Sequence, residues 1–94
     1  MNEYIIRLVF DLEGAHVLHK KYNLPGDEMQ KVYNHLTQFG DVGIERTTGC
    51  LGIVCFESNL TLGDLEKECD KMKYELLHNE KVNGLKIQYY QRII

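Results

Sequence analysis

The residues with the chemistry for catalysis or metal binding begin at Asp11. It ends the alternating run Glu3 to Phe10, with Glu13 and His16 close behind it. A carboxylate at a strand end can hold Mg²⁺ through few protein ligands and several waters, an arrangement suited to phosphodiester cleavage. The competing reading is an Asp that only terminates its strand. His16 and His19 have the spacing HxxH. They form a metal pair only if they share a face, and in an extended segment they point apart, so a zinc site is not expected. Cys50, Cys55 and Cys69 are odd in number and lack a CxxC spacing. Cys50 and Cys55 fall on opposite faces of one strand, and Cys69 on the apolar side of a helix, so all three read as reduced thiols. Ser58 has no His and Asp partners in view, and no glycine motif cradles a phosphate. His35 and His78 fall on polar helix faces and read as solvated.

The elements that must position these residues are organised around Gly49 to Phe56, GCLGIVCF, whose two alternating faces are both apolar. Leu51, Ile53 and Cys55 line one side, Val54 and Phe56 the other. A strand that buries both sides lies inside a sheet. Glu3 to Phe10 is a second such strand, with Tyr4, Ile6, Leu8 and Phe10 on one face and Ile5, Arg7 and Val9 on the other. Residues 15–22 read as a return strand of a hairpin or as an ordered loop.

Pro25-Gly26-Asp27 starts a helix, with Asp27 and Gln30 as a capping box; Met29, Val32, Tyr33, Leu36 and Phe39 recur at helical spacing, and Gly40 closes it. Val42 and Ile44 mark an edge strand. Thr61 and Asp64 form a second capping box, opening a helix with Leu65, Cys69, Met72 and Leu76 on its apolar stripe as far as about Asn79. Asn83-Gly84 is a turn into a last strand, with Leu85, Ile87 and Tyr89 on one face.

This order predicts an α+β fold, a ferredoxin-like βαββαβ single domain over residues 1–94. Its four-stranded antiparallel sheet has the order 4-1-3-2, with two helices on one face and an extra hairpin strand as an option at 15–22. The sheet face away from the helices then carries Ile5, Arg7 and Val9, together with Lys86, Gln88, Tyr90 and Arg92. RNA-recognition modules stack bases on aromatics at such a face. Gly52-Ile53-Val54-Cys55-Phe56 resembles the end of their octamer, but the stacking positions hold Leu51 and Ile53, and the first strand supplies no aromatic either. An aliphatic face suits a second protein surface or a second copy of the chain instead. The partner-binding set is therefore Ile5, Arg7, Val9, Gln88, Tyr90 and Arg92, unless residues 15–22 fold over it.

The chain has 94 residues, 44% of them hydrophobic and 27% charged, with a formal net charge of −3. That balance argues against affinity for nucleic acid built on a basic face, because such affinity scales with neutralised phosphates. No stretch reads as a membrane span or a signal peptide, so a cytoplasmic protein is expected.

Phe10-Asp11-Leu12, Leu18-His19-Lys20-Lys21-Tyr22, Tyr33 and Leu36 on their helix, and Phe39-Gly40 resemble the first half of the VapD endoribonucleases. Those are in turn similar to small CRISPR-associated ferredoxin-fold subunits whose first strand ends in Asp. The likeness covers about half the chain. It implies a homodimer in which Asp11 is the catalytic or Mg²⁺-binding carboxylate and RNA the substrate. Where the family has a Gln-Gly-Ser-like strand start, this sequence reads Thr47-Thr48-Gly49-Cys50.

The leading expectation is a non-enzymatic protein-binding domain without a cofactor. Small acidic domains of this kind are common among phage and mobile-element inhibitors of host proteins, anti-CRISPR proteins included. The alternative is the metal-dependent endoribonuclease. A third class, a small-ligand sensor, has no residue to support it.

Overall fold

The computed structural model describes residues 1–9, 25–47 and 51–93. Its elements run β1 (Asn2–Val9), α1 (Pro25–Leu36), β2 (Gly40–Thr47), β3 (Leu51–Ser58), α2 (Leu62–Lys71), β4 (Tyr74–Val82) and β5 (Leu85–Arg92). The fold is α+β, with one five-stranded sheet of order β2-β3-β1-β5-β4. β1 pairs antiparallel with β3 and parallel with β5. The sheet is therefore mixed, where four antiparallel strands were expected.

The correction has one source. The stripe Leu65, Cys69, Met72, Leu76 continues at helical spacing, yet α2 stops at Lys71. Lys73 takes a left-handed φ of 69°, and Tyr74 begins a strand. The crossover from β3 thus ends in β4 at the outer edge. The hairpin at Asn83-Gly84 then turns the chain back, so that β5 enters between β4 and β1 and runs with β1. The added strand is Tyr74–Val82; residues 15–22 lie outside the described residues.

Both helices pack on one face. Alternation along β1 turns Tyr4, Ile6 and Leu8 inward, where Met29, Val32 and Leu36 of α1 meet Leu65 and Cys69 of α2, with Val54 and Phe56 of β3 between them. β3 carries its apolar sets as expected, Val54 and Phe56 to the core and Leu51, Ile53 and Cys55 to the other face. Tyr33 and Phe39, expected on the α1 stripe, are 38% and 36% exposed. α1 ends at Leu36 in a turn whose Phe39 N–H donates to Leu36 O (2.9 Å), and Gly40 opens β2 rather than capping the helix. Thr61 caps α2 as read from sequence, its Oγ1 accepting from the Asp64 N–H at 3.1 Å. The Asp27 side chain lies outside what is described, and Gln30 Nε2 donates down the helix to Asn34 Oδ1 (2.8 Å).

Candidate functional site

The sheet face opposite the helices is built from alternate residues of β3, β1 and β5. β1 presents Glu3, Ile5, Arg7 and Val9; β3 presents Leu51, Ile53, Cys55 and Glu57. Register places Ile87 beside Ile5 and Tyr89 beside Arg7. The aliphatic members of β1 and β3 are half-buried, and Ile87 is 9% exposed. Below Ile5 a shallow depression of about 250 Å³ is lined by Glu3, Ile5, Cys55, Glu57 and Leu85.

The predicted partner set divides here. Ile5, Arg7 and Val9 are on the open face. Gln88, Tyr90 and Arg92 are not, because β5 turns them toward the helices. Gln88 and Tyr90 are 1% and 0% exposed, with Tyr90 Oη donating to Gln88 Oε1 at 2.5 Å. Arg92 Nη1 donates to the buried carboxylate of Glu28 on α1, which also accepts from Tyr74 Oη (2.9 Å). Polar side chains of this kind sit in a core when they satisfy one another. Their alternation on β5 therefore marks no exposed face.

The outward residues of β5 and β4 supply what the sequence reading missed. Arg7 Nη1 donates to Tyr89 Oη (3.1 Å), and the guanidinium lies 5.2 Å from the Tyr89 ring centroid. Tyr89 Oη in turn donates to Glu80 Oε1 at 2.8 Å, and that bond to a carboxylate raises the Tyr89 pKa. His78, on a strand rather than a helix, sets its ring 5.7 Å from Tyr89, with Nε2 3.6 Å from Glu80 Oε2. The buried Nε of Arg7 has no acceptor among the described residues.

At the other end of the face Glu3 stands opposite Glu57, and Glu57 opposite Asp41. All three are exposed, and like charges directly across a ladder repel. The face is thus an aliphatic band, crossed by the Arg7–Tyr89 pair between the Val9–Leu51 and Ile5–Ile87 levels, with a row of carboxylates at its Glu3 end.

The remaining candidates have structural duties. Ser58 Oγ, 1% exposed, donates to Phe39 O (2.6 Å) and accepts from the Leu60 N–H (3.1 Å), tying two connections together. His35 Nε2 lies 2.9 Å from Glu68 Oε1 and joins the two helices instead of standing solvated. Burial pushes the Cys69 thiol up to about 12, which keeps it protonated and unreactive. Burial also raises the Cys55 pKa, helped by Glu45. Asp11, His16, His19 and Cys50 lie outside the described residues. Among those that are described, no three His, Cys, Asp or Glu come together to hold a metal, and no helix is long and apolar enough to cross a membrane.

No family model matches this chain, and neither the curated proteins nor the solved structures contain a match to it.

Proposed function

We propose that the chain is a non-enzymatic protein-binding domain that docks through the helix-free face of its sheet. The observation that carries this is the continuous aliphatic band of Val9, Ile5, Leu51, Ile53 and Ile87 across β1, β3 and β5, on the side opposite both helices. Such a band with a charged rim matches the anatomy of a protein interface, an apolar centre with polar margins. The Arg7 and Tyr89 that cross it are the residue types on which interface energy concentrates. The order β1-α1-β2-β3-α2 follows a ferredoxin-like plan with the β4–β5 hairpin in place of the last strand. In that plan the open sheet face is the free surface. Docking without chemistry acts by occlusion or by bridging, as an inhibitor or an adaptor does.

The test pairs the native chain with Val9→Glu. Light scattering, and capture from extracts of the encoding organism, are run on both. An association made by the native chain and lost in the variant, with melting unchanged, is the expected result. Identical behaviour of the two chains removes the face. The competing reading, Mg²⁺-dependent RNA cleavage at Asp11, requires cleavage that a chelator stops and that Asp11→Asn loses.

A further inference from the structure

Resting on that reading of the face, we infer that its occupant is a second copy of this chain, seated by a twofold axis over Ile5. The open face of β1 reads Glu3, Ile5, Arg7: a carboxylate, an aliphatic centre and a guanidinium at two-residue intervals. An axis lying between two stacked sheets, perpendicular to the strands and passing over Ile5, lays β1 on the second copy's β1 in the opposite direction. Ile5 then faces Ile5, Ile87 beside it faces Ile87, and each Arg7 lies over the other copy's Glu3.

The shapes agree with the charges. The Arg7–Tyr89 pair stands on one side of the Ile5–Ile87 level, and the depression lined by Glu3, Glu57 and Leu85 lies on the other. The twofold sets the pair of each copy over the depression of the other. Glu3, which stands beside Glu57 in a row of like charges, then receives the Arg7 guanidinium of the other copy.

Electrostatics also favours this axis over one parallel to the strands. An axis parallel to the strands over Ile5 sets Glu3 on Glu3 and Arg7 on Arg7, like charge against like charge. The perpendicular axis moves the two rows to opposite ends, four residues or about 13 Å apart along the strand. That is beyond the screening length of about 8 Å at physiological salt.

Charge reversal tests the arrangement, because a twofold makes every substitution act twice. Purified native chain is compared by sedimentation and light scattering with Glu3→Arg, with Arg7→Glu, with a 1:1 mixture of these two, and with the double variant. The native chain and the double variant should dimerise. Each single variant should dissociate at least about tenfold more readily, since it places like charges at both ends. The mixture should form a heterodimer. There the arginine introduced at position 3 of one copy meets the glutamate introduced at position 7 of the other, and native Arg7 meets native Glu3 at the far end. Thermal melting shows whether each variant is folded, and Glu3→Arg, at an exposed site, supplies the loss arm if Arg7→Glu is not. A native chain monomeric at all concentrations overturns the inference. So does loss in the single variants that neither the mixture nor the double variant restores. If Ile53→Glu abolishes self-association while the reversals do nothing, the twofold is wrong and the docking face stands. If Ile53→Glu, Val9→Glu and the reversals all leave self-association and partner capture intact, both fall.

Discussion

Tyr74 Oη donates a 2.9 Å hydrogen bond to Oε1 of Glu28, joining the first turn of α1 to the first residue of β4 inside the core. Arg92 Nη1, at the end of β5, donates to the same oxygen, and Lys31 Nζ stands 3.4 Å from it. The Glu28 side chain is only 2% exposed and that of Arg92 12%. A carboxylate withdrawn from water this far depends on its donors, and they on it.

Glu28→Ala should therefore cost about 3 kcal/mol, since it removes the acceptor shared by a buried hydroxyl and a guanidinium. Tyr74→Phe removes one donor and leaves the ion pair, so about 1 kcal/mol is expected. The double variant should cost less than the sum, because both changes break one hydrogen bond. Urea unfolding monitored by circular dichroism checks all three. A loss below about 1 kcal/mol in Glu28→Ala would mean that the network does not hold α1 to the sheet.

Two glycines should respond to alanine for different reasons. A Cβ on Gly40 would overlap the carbonyl oxygen of Glu57 on the neighbouring strand. Gly40→Ala must push β2 from β3 and should cost about 2 kcal/mol. At Gly84 nothing lies within 4 Å of an added Cβ, but φ is +84°. Gly84→Ala should cost about 1 kcal/mol through the backbone alone. If the order of the two losses is reversed in thermal melts, the close approach of β2 to β3 is not as described.

Gly84 also shows how much was legible in the sequence. Asn83 and Gly84 both have positive φ and close a two-residue hairpin between Val82 and Leu85. An Asn-Gly pair of this kind calls for a strand on each side, and that signal is present in the sequence. A competing one masks it, because Leu76 falls four residues after Met72 and the helical period runs on into β4. No glycine marks the stop either, the left-handed position being filled by Lys73. β1, β2, β3 and the open face of β1 were legible from alternation, α1 from its helical period, and the cap at Thr61 from its spacing to Asp64. The outward face of β5 was not, because Tyr89 and Tyr90 are interchangeable by residue type. Only the pairing of Gln88 with Tyr90, and of Arg92 with Glu28, decides between them. Tyr89 was hidden by that ambiguity, and His78 and Glu80 by the helical period that runs on past Lys71.

Stability on the acid side should carry the signature of Glu68. The Lys71 ammonium (3.0 Å) and then His35 hold its carboxyl below the ordinary value of 4.5. A carboxyl with a folded pKa below its unfolded one contributes stability that is complete above the unfolded value. That contribution is lost as pH falls through the folded value. The stability difference between the native chain and Glu68→Gln should therefore shrink as pH falls below the ordinary carboxyl value of 4.5. Urea midpoints across that fall in pH measure it. A difference that does not change as the carboxyl is protonated would show that the helix-bridging contact contributes nothing.

The core hydroxyl of Tyr90 offers a test by double-mutant cycle. Tyr90 Oη donates to Gln88 Oε1 and lies within hydrogen-bonding reach of the Cys69 thiol; burial pushes the Tyr90 pKa far above the ordinary tyrosine range. Nε2 of Gln88 has no partner among the described residues. Tyr90→Phe strands the remaining end of a fully buried amide and should cost about 2 kcal/mol. Gln88→Leu removes the amide with its unsatisfied group and leaves Tyr90 the Cys69 thiol, so its cost should be below about 1 kcal/mol. In the Gln88→Leu background, Tyr90→Phe no longer isolates an acceptor. The double variant should then be more stable than Tyr90→Phe alone, although it carries one substitution more. Melting temperatures of the four proteins decide it, at about 5 °C per kcal/mol for a chain of this size. If the two losses simply add, the 2.5 Å bond between Tyr90 and Gln88 is not what makes a polar pair tolerable between the sheet and α2.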